Sequence, residues 1–274
     1  MTPTPRVIPA HRAAPTRDVA NGNATMGRTE SNRKGDEMDY RMSIDEAVES
    51  RHAVRRYTEE PISAEERAAL EEAVAAANAD GALHMRLAYD DPEVFSSTLA
   101  RRAGFVNANN YLVVAGHESN NLDMRAGYFA EKVVLEAQRL GLNSCWVAGT
   151  AKRRAVRQTL AQKDKLVAII ALGHGTTQGE AHRSRTIAQV SRPVNNVPEW
   201  FARGVRYALL APTAMNQQTF WVQMTRKTNA NGLPLVALST NGGPCARVDL
   251  GIVKLHFELG AGTENFAWAG PVVH

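Results

Sequence analysis

Two arginines four residues apart, Arg51 and Arg55, are the first pairing in this chain with chemistry in it. Guanidinium groups stay charged at physiological pH and present a flat fork of donors, so two that converge suit a doubly charged anion such as a phosphate. Convergence requires the segment to be helical or turned. A second grouping, Asn216 and Gln218, offers side-chain amides. These donate and accept at once and match hydroxyls or a ligand edge of mixed character. Pro212 and Thr213 lead into it: proline ends a helix locally and threonine can cap the next turn. The third is Val147-Ala148-Gly149, a small, glycine-ended turn where backbone N–H groups can come close to a flat ligand. Cys145 and Trp146 beside it read as packing residues. No Ser/His/Asp constellation is evident, and Gly173-His174-Gly175 is too short for a dinucleotide fingerprint.

These residues need elements to hold them. Ser43 and Glu46 have capping-box spacing, with Ile44, Ala47 and Val48 forming a short amphipathic helix that ends near Arg51. Ser63 and Glu66 repeat that spacing before a helix with Leu70, Val74 and Ala77 on its apolar face. Alternation at Leu83, Met85 and Leu87 precedes a strand at 111–115. A long helix spans 123–140, stopped by Gly141. A strand at 144–147, a basic helix over 151–160 and a buried strand at 166–172 complete this half. Residues 174–198 read as an irregular connector. Helices and strands mix without a regular βαβ rhythm, which predicts an α+β fold.

The chain has 274 residues, with Lys+Arg 32 against Asp+Glu 28 and 44% hydrophobic residues. Six of the bases and four of the acids lie in residues 1–37, which leaves a near-neutral body and argues against nucleic acid as a partner. That tail has no apolar period and is expected to be disordered. No apolar run approaches the roughly 18 to 20 residues of a membrane span, so a cytoplasmic protein without membrane association is expected. Two cysteines, Cys145 and Cys245, provide neither a disulfide framework nor a zinc site by themselves. The order helix, turn, alternating strand, then glycine-bearing helix, turn and Trp occurs twice. Residues 72–87 and 123–146 are echoed by 206–224 and 249–268, which predicts an internal duplication. The expected parts are a first half at 38–173, the connector at 174–198 and a second half at 199–274.

Three segments together resemble the FMN-dependent nitroreductase family. Ser50-Arg51-His52-Ala53-Val54-Arg55-Arg56-Tyr57, with Glu60-Pro61-Ile62-Ser63 just after it, is similar to the family's arginine-rich opening. Ala211-Pro212-Thr213-Ala214-Met215-Asn216-Gln217-Gln218 is similar to its Ala-Pro-Ser-x-x-Asn-x-Gln loop. Gly141-Leu142-Asn143-Ser144-Cys145-Trp146-Val147-Ala148-Gly149 is similar to its Gly-Leu-Gly-x-x-Trp-x-Gly-Gly turn. The resemblance implies a nitroreductase-like α+β fold with a central, mostly antiparallel sheet flanked by helices. It also implies an FMN cofactor, NAD(P)H as reductant and a small electrophilic acceptor such as a nitroaromatic or quinone. Arg51 would take the phosphate, Arg55 the phosphate side or the flavin N1/O2 edge, and Val147, Ala148 and Gly149 the isoalloxazine. Pro212, Thr213, Met215, Asn216 and Gln218 would supply the loop over the ribityl and pyrimidine parts. His52 and Arg192 match positions that are often basic. Ala53 departs from the family's common Ser, and the Asn/Gln loop stands about 150 residues after the arginines rather than soon after them. That order fits a duplicated branch in which one chain is a pseudo-dimer with one complete flavin site, alone or in a further homo-oligomer. A flavin-binding protein without turnover is the alternative.

Overall fold

Both capping boxes form. In the structure, a computed structural model describing residues 42–192 and 197–270, Ser43 and Ser63 each accept from the N–H three residues on. Glu46 and Glu66 reach back to the same residues' N–H groups. The boxes start α1 (Ile44–Ser50) and α2 (Ala64–Gly81). The tail 1–37 and residues 193–196 of the connector lie outside the described residues. From α2 the chain continues through β1 (Arg86–Ala88), α3 (Thr98–Arg102), β2 (Asn110–His117), α4 (Leu122–Arg139), β3 (Asn143–Val147), α5 (Arg153–Arg157) and β4 (Asp164–Gly173). Next are α6 (Ile187–Val190), β5 (Ser191–Arg192), α7 (Glu199–Leu210), β6 (Phe220–Thr228), β7 (Pro234–Thr240), α8 (Ala246–Ala261) and β8 (Ala267–Trp268). The described residues make one compact unit.

There are two sheets. The first is antiparallel throughout, in the order β1-β2-β4-β3. Successive residues of β2 go into different cores: Leu112 and Val114 face α2 and α4, while Tyr111 and Val113 face the opposite layer with Val54, Phe95 and Phe105. Burial on both faces explains why β2 and β4 read as unbroken apolar runs. The second sheet, β5-β6-β7-β8, mixes parallel outer pairs with an antiparallel centre. It buries one face, with Val222 and Met224 inside and Gln223 exposed. The basic helix expected over 151–160 shortens to α5, and the connector contains α6 and β5.

Helices α4 and α8 cross between the sheets. The sixth residue of each is glycine. A Cβ on Gly127 would stand 2.1 Å from the Val248 carbonyl oxygen, and one on Gly251 would stand 2.0 Å from that of Met124. Val248 and Met124 are each the third residue of their helix, so the contact is reciprocal. Only glycine lets two helix backbones approach this closely.

Candidate functional site

The arginine segment is extended, not helical. Leaving α1, residues 53–57 run as an extra strip beside the first sheet: Ala53 bridges Ser144, Arg56 bridges Val106 and Tyr57 bridges Gly175. The Val54 N–H donates to the Ser144 carbonyl at 2.9 Å, which ties this strip to β3. In an extended chain residues four apart still share a side. The helical or turned geometry expected from the spacing gives way to sheet pairing, yet Arg51 and Arg55 both bear on the Cys145 thiol. Burial pushes that thiol's pKa up, and the two charges pull against it.

Arg51 and Arg55 differ in surroundings. Arg51 is 3% exposed. Its guanidinium donates to the Leu210 carbonyl at 3.4 Å, where α7 gives way to the Pro212 loop, and its Nε lies 3.6 Å from Glu131 Oε1. Burial works against Arg51's charge, and Glu131 supports it. Glu131, itself fully buried on α4, accepts from Trp146 Nε1 at 2.7 Å and lies 2.9 Å from His256 Nε2. One carboxylate thus joins α1, α4, β3 and α8. Arg55 is exposed, and no carboxylate among the described residues lies within ion-pair distance of it.

The loop after α7 is strained. Met215, Asn216 and Gln218 all have positive φ (51°, 52° and 46°), which asparagine tolerates and methionine and glutamine disfavour. Asp249 of α8 holds it, accepting from the Ala214 N–H at 3.0 Å and from Gln217 Nε2 at 2.7 Å, while Thr213 Oγ1 accepts from the Gln218 N–H at 3.1 Å. Burial raises Asp249's pKa, and these bonds oppose the shift. Met215 is 81% exposed and Pro212 is half-buried. The Asn216 and Gln218 amides both donate to the Arg183 carbonyl, at 2.8 and 3.0 Å, and Gln218 Oε1 accepts from the Arg185 N–H at 2.8 Å.

The connector is therefore part of this neighbourhood. His182 Nε2 lies 2.9 Å from the Leu209 carbonyl, and a Cβ on Gly179 would meet that of His52 at 2.8 Å. His52 is half-buried, and its pKa is lowered by burial first, then by the charges of Arg51 and His182. The structure thus brings together Arg51, His52, Arg55, the first part of β3 at Ser144 and Cys145, and the end of α7 that opens the Pro212–Gln218 loop. Val147 lies further along β3. Ala148 and Gly149 are exposed just beyond β3, and a Cβ on Gly149 would meet nothing within 4 Å. Arg192 stands elsewhere: its guanidinium lies 5.0 Å from the Trp221 ring and lines a cavity of about 320 Å³ on the second sheet with Gln223, Ser239 and Asn241. Sequence reasoning passed over Glu131, His256, Asp249, Arg183 and Arg185. Nothing in the sequence docks the 183/185 pair on the Asn216 loop.

The fold is of the nitroreductase-like α+β class. The chain belongs to the family described as "Putative TM nitroreductase", whose model matches residues 43–261. It is similar to a solved "putative nitroreductase" from Thermotoga maritima, at 21% identity over 80% of this chain and 83% of that one, with a TM-score of 0.53. A "putative nitroreductase" in complex with FMN from Desulfovibrio desulfuricans is 20% identical over 57% of this chain and 98% of that one, with a TM-score of 0.45. A nitroreductase with bound FMN from Bacteroides fragilis is 20% identical over 53% and 94%, with a TM-score of 0.39. No curated protein matches the chain. No helix among the described residues is long and apolar enough to cross a membrane.

Proposed function

We propose that the chain is an FMN-dependent oxidoreductase that draws reducing equivalents from NAD(P)H and delivers them to a small electrophile, a nitroaromatic or a quinone. The observation carrying this reading is the meeting of the arginine strip, β3 at Ser144 and the end of α7 that opens the strained loop, three segments spread from residue 51 to residue 210. When bound, FMN supplies reversible hydride acceptance. The residues present fit such a group: Arg55 offers an exposed cation for phosphate or the pyrimidine edge, and the small turn 147–149 leaves its backbone open to a flat ring. Arg51 positions these parts, its charge held in place by Glu131. Arg183 and Arg185 add exposed cations beside the loop.

The same reading makes the chain a single-chain pseudo-dimer. The reciprocal glycine contacts of α4 and α8 support it, because such mutual pairing is what a two-fold axis produces. The site then draws its arginine strip and β3 turn from one half and its loop from the other. The second reading is a flavin-binding protein without turnover; in either case a flavin uses the Asn216 and Gln218 amides only by displacing their bonds to the connector's backbone. Two measurements separate the readings. The visible spectrum of the purified protein, with and without added FMN, tests flavin binding. NAD(P)H oxidation in the presence of a nitroarene tests turnover, and flavin bound without oxidation would favour the second reading.

A further inference from the structure

Away from this neighbourhood, at the far end of the first sheet, three side chains meet that the proposed reaction does not use. His117 closes β2 and Asp164 opens β4, and the two are cross-strand partners. His84, in the lead-in to β1, is fastened by its N–H to the Ala115 carbonyl at 2.8 Å. Both imidazoles aim Nδ1 at one carboxylate: His117 Nδ1 lies 2.7 Å and His84 Nδ1 2.9 Å from Asp164 Oδ1, and His84 is also 3.0 Å from Oδ2. The rings stand edge to face, with centroids 4.6 Å apart and planes at 89°. The ligand atoms of all three fall within 4.8 Å of one another. The histidines are half-exposed or more, while the Asp164 carboxylate is 4% exposed. Neighbouring Lys165, the nearest cation along β4, is paired with Asp123 at 3.3 Å instead.

We propose that His84, His117 and Asp164 form a binding site for a borderline divalent transition-metal ion of the zinc type, with its remaining positions open to water. Two neutral imidazoles and a carboxylate are ligands such ions take, whereas Mg²⁺ and Ca²⁺ select all-oxygen sets. Metal–ligand bonds of about 2.0 to 2.2 Å place tetrahedral ligands roughly 3.3 Å apart. The observed separations of 2.7 to 3.0 Å therefore open by about half an ångström to admit the ion. The exposed rings can make that motion, while the sheet holds the carboxylate still. The bound ion replaces the hydrogens now shared between the imidazoles and Asp164, and it fastens the β1 lead-in to the β2–β4 edge.

The test is calorimetric titration of Zn²⁺ into full-length, tag-free, chelator-treated protein, repeated with His84→Ala and His117→Ala. Both variants alter exposed rings, and their metal-free melting curves check that they fold. One Zn²⁺ per chain is expected, with affinity about tenfold or more weaker in each variant. Zn²⁺ should also raise the wild-type melting temperature, and Mg²⁺ should not. Co²⁺ should give a visible absorption band that both variants lose. Absence of stoichiometric zinc binding, or equal binding by wild type and both variants, would overturn the proposal.

Discussion

After α4 the chain turns into β3, and Trp146 donates to Glu131; after α8 it turns into β8, and Trp268 donates to Glu258 at 2.6 Å. Each glutamate is also met from the opposite long helix, Glu131 by His256 and Glu258 by the Tyr128 hydroxyl at 2.6 Å. Beyond that the two places diverge. Glu131 is sealed, and the charge it balances is Arg51, which reaches across to the α7 loop. Glu258 lines a cavity of about 570 Å³ with Lys254, Lys132 and Asp80, and it pairs with Lys254 one turn away on its own helix at 2.8 Å. No arginine strip from elsewhere among the described residues enters there. A shared helix crossing supports both places, and of the two only the Glu131 side recruits Arg51 and through it the end of α7.

The largest expected effect breaks the sealed side. Glu131→Gln strands the Arg51 charge inside the protein and should lower stability by about 3 to 5 kcal/mol. Glu258→Gln leaves Lys254 at the wall of an open cavity and should lower it by about 1 to 3 kcal/mol. Urea unfolding of both variants checks the ordering, and equal losses would erase the distinction.

Next comes the exposed cation. Arg55→Ala should weaken FMN binding by about 1.5 to 3 kcal/mol and riboflavin, which lacks the phosphate, much less. Lys132→Ala, on the open side, should leave both unchanged. Fluorescence titrations with the two flavins decide it.

The glycine crossing should behave alike from both sides. Gly127→Ala and Gly251→Ala each press a methyl group onto a facing backbone carbonyl and should each lower stability by about 1 to 3 kcal/mol. The double variant should lose less than the sum, because one displacement of the helices relieves both clashes. A large difference between the single variants, measured by thermal unfolding, would show that the reciprocity is only apparent.

The smallest effect is in pH. Burial raises Asp249 above the ordinary aspartate value, so the folded chain keeps this proton to a higher pH than the unfolded chain. Wild type should therefore lose stability relative to Asp249→Asn as pH climbs from the ordinary carboxylate pKa through the raised one, and the difference should be flat outside that window. Melting temperatures of the two proteins across acidic pH test the sign.

Much of the first sheet was readable because its signals are local. Capping boxes at Ser43 and Ser63 and the apolar runs of β2 and β4 depend on neighbours in sequence, and each formed near its expected place. The strand β7 escaped the pattern reading, although Asn231-Gly232 just before it is a hairpin signal and Asn229 caps that turn. Two-residue β5 leaves no periodic trace at all. The candidate segments were legible and their wiring was hidden. Arg51, Arg55 and the Asn216 loop could be picked out by type and spacing. Glu131 could not, because α4 is wrapped on several sides and an inward glutamate there breaks no visible period. Likewise the docking of Arg183 on Asn216 and Gln218 depends on tertiary placement of an irregular connector.

The central claim, one flavin site per chain assembled from both halves, is tested most directly by stoichiometry. Titration of FMN into purified protein of known concentration, monitored by absorbance, should saturate near one flavin per chain. Saturation near two would show that the Glu258 side is also a flavin site, and no saturable binding would contradict the account outright.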